Sequence, residues 1–239
     1  MREKMLLTYK EIQDTVQELD LFSRVLIGQY DEVVAKASNL FIFHPYEDIE
    51  LDKLLRQLRN LLIPSLHFYS LGASLGIWSE ETPLIAKRAF DIQQCLRYQL
   101  AYHRNPEGDI TVDFRIPYIH GEWNVSKEQE EEYGSILKKN QIGIYHTAEA
   151  SRYPWSCPIV FEQFGANTVN ILVDDEEIIT IMDKAEKWYS LIQNNNLHEM
   201  FLEAMEYSDG NATIEEISPL ATLVEDHVQK LRKEIPYDK

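Results

Sequence analysis

Thr8-Tyr9-Lys10-Glu11 has the spacing of a capping box, in which the threonine hydroxyl and the glutamate carboxylate each engage an unpaired backbone N–H at a helix start. Ile12, Val16, Leu19, Phe22, Leu26, Val33 and Ala37 follow mostly three or four residues apart. That spacing predicts one long amphipathic helix reaching about Ser38. Gly28 falls inside it, where glycine costs about 1 kcal/mol against alanine, and close packing of a neighbour would offset this.

The helical period recurs along the chain. Beyond a loop at His44-Pro45, Leu51, Leu54, Leu55, Leu58, Leu61 and Leu62 form a stripe that starts near Asp48 and must end or kink at Pro64. Gly72-Ala73-Ser74-Leu75-Gly76 spaces small residues four apart, the pattern of close helix packing. Thr82-Pro83 reads as an N-cap followed by a first-turn proline, opening a helix with Ala86, Ala89, Ile92, Cys95, Leu96 and Leu100 on one face. Asn105-Pro106-Glu107-Gly108 is a turn signal, and the alternation from Ile110 to Ile116 predicts a strand closed by Pro117.

Further on, Ser126-Lys127-Glu128-Gln129 is a second capping box, whose helix carries Glu130, Glu131 and Glu132 and ends near Asn140. Ile142–Tyr145 and Val169–Val173 read as short strands around an aromatic loop at Tyr153-Pro154-Trp155. Asp174-Asp175-Glu176-Glu177 then opens a helix with the apolar face Ile178, Ile181, Met182, Ala185, Trp188, Tyr189 and Ile192, its acids matched to the positive end of the helix dipole. After a turn at Asn194-Asn195-Asn196, a shorter helix spans Leu197 to Tyr207, Ser208-Asp209-Gly210 stops it, and a last helix starts after Ser218-Pro219. The expected fold class is mainly α with a few short β-strands.

Composition supports a packed fold: 44% of residues are apolar and 11% aromatic, too hydrophobic for disorder. Cys95 and Cys157 fit no paired-thiol or zinc spacing, which implies free thiols in a reducing compartment and makes the cytoplasm the expected location. No formal charge occurs between Arg59 and Glu80, but Pro64, His67, Tyr69 and several serines make that stretch a poor membrane span. The net charge of −17 is uneven along the sequence: residues 1–120 carry 13 Lys/Arg against 17 Asp/Glu, and residues 121–239 carry 10 against 23. A loosening of the pattern at 121–126 divides the chain into a helical unit, 1–120, ending in a strand, and an acidic α-rich unit, 121–239.

Walker, dinucleotide, nucleophile-elbow and kinase signatures are all missing. His198-Glu199 begins like a zinc-protease helix, but Leu202 stands where the second imidazole belongs. The Asp174 run lacks the alternating ligands and central glycine of a calcium loop. No metal and no cofactor are therefore expected. His103 and Arg104 end a helix, and Asp113 and Arg115 lie on the returning strand, so the four offer a base, an orienting carboxylate and an anion clamp if they converge. Helix-end charges that neutralise the dipole, with Asp113 paired to an arginine, explain the same residues.

Leu19-Asp20-Leu21-Phe22-Ser23-Arg24-Val25-Leu26-Ile27-Gly28-Gln29-Tyr30-Asp31-Glu32, with Phe90-Asp91-Ile92-Gln93-Gln94 and His103-Arg104-Asn105-Pro106-Glu107-Gly108 leading into Thr111-Val112-Asp113-Phe114, resembles small uncharacterised proteins encoded by phages and prophages. The resemblance covers the N-terminal half and carries no activity with it. What it implies is context, an accessory factor that binds a host or defence protein.

The leading functional expectation is a non-enzymatic acidic module that binds a basic protein surface, such as a phage-encoded inhibitor of a bacterial defence nuclease or effector. Glu130, Glu131, Glu132, Asp174, Asp175, Glu176, Glu177 and Trp155 are its expected contacts. Alternatives are a small-molecule or nucleotide enzyme at His103, Arg104, Asp113 and Arg115, and a toxin-neutralising immunity protein. Direct nucleic-acid binding is disfavoured because no basic stripe accompanies the aromatics, a membrane partner is not expected, and the long first stripe makes a homodimer plausible.

Overall fold

The computed structural model describes residues 3–38, 48–77, 79–104, 159–163, 168–173, 176–208 and 210–234. Within them the protein is mainly α-helical. Strand β1 (Glu3–Thr8) leads into α1 (Tyr9–Leu26), followed by α2 (Tyr30–Ser38), α3 (Ile49–Leu62) and α4 (Leu84–Arg104). Strands β2 (Ile159–Gln163) and β3 (Thr168–Val173) precede α5 (Glu176–Gln193), α6 (Leu197–Ala204) and α7 (Ile214–Glu234). The strands form an antiparallel sheet in the order β1-β3-β2, with Met5 opposite Ile171 and Phe161 opposite the same residue from the other side.

The chain divides into two compact units, each assembled from separated segments: residues 1–20 with 87–184, and 21–86 with 185–239. The boundary expected near residue 120 falls outside the described residues, as do the strand at 110–116, the turn at 105–108, the capping box at Ser126 with its helix, and the strand at 142–145. The interleaving changes how charge is apportioned. The first unit has 13 Lys/Arg against 21 Asp/Glu, net −8, and the second has 10 against 19, net −9. The excess acidity of the C-terminal half is thus a property of the linear sequence, and both compact units carry nearly equal negative charge.

In the first unit Ile12, Leu19, Ala89, Ile92, Leu96, Ile178 and Ile181 are buried, and Gln93 Nε2 donates to Asp20 Oδ1 at 2.9 Å. In the second unit the core is Leu51, Leu55 and Leu58 of α3, Met200 and Phe201 of α6, and Ile217, Val224 and Val228 of α7, with α7 packed on α2, α3 and α6. Phe22 and Trp188 stack tilted at 4.6 Å between ring centroids, Tyr30 meets Phe201 edge-on at 5.1 Å, and the Trp188 indole N–H donates to Glu203 at 2.9 Å. Such pairs add roughly 0.5–1.5 kcal/mol each beyond area burial.

The first capping box forms as read: the Thr8 N–H donates to Glu11 Oε2 at 2.6 Å, and the Glu11 N–H donates to Thr8 Oγ1 at 3.2 Å. The single long helix to Ser38 does not form. Gly28 takes φ of 86°, its N–H donates to Val25 O at 3.1 Å, and the Gln29 N–H donates to Arg24 O at 2.9 Å, the pair of bonds that closes a helix end around a left-handed residue. Gly28 therefore ends α1 rather than weakening its middle. Asn195, at φ of 59°, ends α5 by the same device through Ile192 and Leu191, asparagine being among the few side chains that tolerate this region.

The last helix also starts earlier than Ser218-Pro219 suggests. Thr213 and Glu216 make a capping box, with the Thr213 N–H on Glu216 Oε2 at 2.9 Å, and Pro219 sits inside the helix. Because it lies in the second turn, the missing N–H removes one intrahelical bond near an end that is already capped. Among the described residues no helix is long and apolar enough to cross a membrane.

Two predictions follow from these helix ends. A Cβ at Gly28 would lie 2.9 Å from Leu66 Cδ1 and 3.1 Å from Ile63 Cδ1, in a backbone region L-residues avoid. Gly28→Ala should lower stability by at least about 1–2 kcal/mol in urea denaturation, and an unchanged midpoint would contradict the closed helix end. Asp48 caps α3 by accepting the Leu51 N–H at 3.1 Å and meets His227 Nε2 of α7 at 2.6 Å. Burial alone would raise its carboxyl, but hydrogen bonds from His227 and Leu51 and the His227 charge hold it below the ordinary range. A depressed carboxyl contributes stability above its unfolded value, lost as pH falls through the folded one. Asp48→Ala should cost about 1 kcal/mol near neutrality, and its deficit against wild type should close as pH drops below roughly 4; a deficit constant across that range would refute the assignment.

Candidate functional site

Arg59 lies in the last turn of α3, on the face that also buries Leu51, Leu55, Leu58 and Leu62, and it is fully buried. An isolated buried charge is prohibitively costly, so its donors need partners. The two Nη groups find main-chain carbonyls, while the buried Nε has no hydrogen-bond partner among the described residues. Nη1 donates to the oxygens of Ser70, Leu71 and Ala73 at 2.7, 2.9 and 3.1 Å, and Nη2 donates to those of Tyr69 and Leu66 at 2.8 and 3.3 Å. Burial and the neighbouring Arg56 charge pull the guanidinium below its usual value, while Tyr30, Asp31 and Asp52 work the other way. Asp52 itself holds Arg56 through two hydrogen bonds, at 2.7 and 3.1 Å.

This arrangement corrects the reading of Gly72-Ala73-Ser74-Leu75-Gly76. The segment is irregular, and a Cβ at Gly72 or Gly76 would enter open space, so the glycines do not admit a close neighbouring backbone. A phosphate loop would aim N–H groups at its ligand, whereas carbonyls converge here on a guanidinium. The pinned loop returns to the end of α1, with the Leu75 N–H on Ile27 O at 2.9 Å and Gln29 Nε2 on Ser74 Oγ at 3.1 Å. Thr82 Oγ1 donates to Gly76 O at 2.8 Å, so the hydroxyl read as a helix cap ties the loop to the segment just before α4. At its tip Phe68 is 94% exposed and Tyr69 60%.

A cleft of about 210 Å³ opens beside the pinned segment. Its apolar wall is Leu26, Leu62, Ile63, Leu75 and Pro83, and Ser65, Glu81 and Tyr207 bring the polar groups. Ser208 Oγ donates to Leu62 O and accepts the Gly210 N–H at 3.0 Å, which fixes the chain just beyond Tyr207 against the end of α3.

Of the residues expected from sequence to bind a partner, Glu176 and Glu177 open α5 and are exposed, and Glu177 is paired with Arg88. Glu130, Glu131, Glu132, Trp155, Asp174 and Asp175 lie outside the described residues. His103 and Arg104 fall in the last turn of α4, and Asp113 and Arg115 lie outside the described residues. His198 Nε2 stands 2.9 Å from Ser218 Oγ, a distance suited to a base and a nucleophile. Glu225, however, takes the backbone N–H of His198 at 2.9 Å rather than orienting the ring, and the cleft is lined by other residues. The pair ties α6 to α7. Among the described residues no group of three or more His, Cys, Asp or Glu is placed to hold a metal ion.

Arg59, the cleft and Glu81 carry no motif in the sequence. The available signal was a charged residue on an apolar helix face, followed by a stretch without formal charge.

Arg59→Met should remove five donated bonds while leaving the carbonyls in place, at a cost of about 3–5 kcal/mol. Arg59→Lys keeps charge without the planar fork and should fall between wild type and Arg59→Met. Urea denaturation with amide exchange over residues 66–75 reads both effects, and an Arg59→Met protein with wild-type stability and loop protection would overturn this role.

No family model, curated protein or solved structure matches the chain.

Proposed function

We propose that the protein is a non-enzymatic binding module that recognises a basic protein surface. The observation that carries this reading is the net charge of −17, shared as −8 and −9 by the two compact units. A field of one sign over a whole molecule accelerates encounter with an oppositely charged partner and disfavours nucleic acid and anionic lipid. The N-terminal resemblance to phage and prophage proteins supports a bacterial defence protein, such as a nuclease effector, as the target that is inhibited. Phe68 and Tyr69, beside the carbonyls that Arg59 binds, add exposed aromatic surface of the kind that anchors protein interfaces.

Because charge is divided between the units, reversals in either should matter. Glu176→Lys with Asp183→Lys tests the first unit, and Glu186→Lys with Asp226→Lys the second; all four positions are exposed. The partner is recovered from host extract, identified by mass and purified. Each double reversal should weaken the purified complex about five- to tenfold at low ionic strength, with the difference shrinking as salt rises. A partner without net positive charge, or an affinity indifferent to both double variants and to salt, would dismiss the proposal.

A further inference from the structure

Resting on the reading that the partner is basic, we infer that the cleft beside the Arg59-pinned loop receives one lysine or arginine side chain of that partner, with Glu81 meeting its charged head. The cleft, at about 210 Å³, is below the roughly 300–1,000 Å³ of small-molecule sites, and its scale suits a single side chain. Lysine and arginine carry an apolar stem and a charged end, and they bury the stem while keeping the head near water. The lining offers both characters, aliphatic Leu26, Leu62, Ile63, Leu75 and Pro83 together with Ser65, Glu81 and Tyr207.

Glu81 is exposed, and among the described residues its carboxylate takes part in no hydrogen bond or ion pair. Its backbone is positioned, since the Glu81 N–H donates to Ser79 Oγ at 3.3 Å. The wall is held in advance as well. Leu75 is tied to the end of α1, and Ile63 follows the α3 turn whose arginine anchors the loop, so little ordering remains to be done on binding. Arg59 does not compete for Glu81, because its η donors are committed to carbonyls.

The test uses the isotope-labelled full chain and three probes at low ionic strength: hexalysine, Nα-acetyl-lysine methylamide and the uncharged norleucine analogue. Both lysine probes should shift the amide resonances of Ile63, Leu75 and Glu81, with the norleucine analogue weaker. Glu81→Gln should reduce hexalysine affinity about fivefold, and Ser65→Trp, at an exposed lining position, should abolish the cleft shifts. Hexalysine binding with shifts scattered over exposed acids and unaffected by either variant would overturn the cleft while leaving acidic recognition standing. Equal binding of the norleucine analogue would also overturn it, by removing the role of Glu81. No hexalysine binding at all would overturn both the cleft and the recognition of basic surfaces.

Discussion

A single guanidinium organises the second compact unit. Arg59 is delivered by α3 to a fully buried position where its compensation is a set of five backbone carbonyls. Its aliphatic stem also bounds the turn after α1, since a Cβ on Gly28 would come within 3.3 Å of Arg59 Cδ. The end of α1, the end of α3 and the loop up to Leu75 are thereby mutually dependent. The cleft wall and the exposed aromatic tip both belong to the segment this arrangement shapes.

The nature of the partners makes Arg59 harder to replace than a buried ion pair. An ion pair can be exchanged for apolar residues with little loss, because both charges leave together. Here the acceptors are main-chain oxygens that no substitution deletes, so a hydrophobic residue would leave them without donors in the interior. Arginine also supplies enough N–H groups in one plane to serve a curved segment, which the ammonium of lysine cannot reproduce. A stretch rich in serine and glycine, without helix or strand hydrogen bonds, is ordered by a donor from elsewhere in the chain.

What the sequence disclosed follows the reach of each interaction. The Thr8 box, the stripe of α3, its end at Pro64 and the strand at Val169–Val173 depend on neighbours within a few residues, and each is found close to its expected place. Gly28 and Pro219 misled because the apolar period runs through both positions. Gly28 adopts a left-handed conformation that periodicity does not register, and Pro219 is tolerated because Thr213 and Glu216 start α7 earlier. The capping pattern Thr213-Ile214-Glu215-Glu216 is the local signal for that earlier start, which puts the first helical residue, Ile214, five residues ahead of Pro219. The Arg59 cradle joins residues 7 to 14 positions apart through backbone oxygens, whose direction no residue pattern encodes.

Charge shows the same distinction on a larger scale. Cut at its middle, the chain has a nearly balanced half and a strongly acidic one. Followed through the fold, it passes between the compact units three times, at residues 20, 86 and 184, and the net charge becomes −8 and −9. Long-range attraction on the proposed reading therefore belongs to the whole molecule and cannot by itself select a contact face. Selection requires short-range features: an exposed glutamate among the residues lining an apolar cleft, and aromatic rings on a pinned loop. Salt screens the first contribution far more than the second, because burying an apolar stem against Leu26, Leu62 and Leu75 gains stability from displaced water. A complex built on both would form more slowly as ionic strength rises, while its lifetime once formed would change much less.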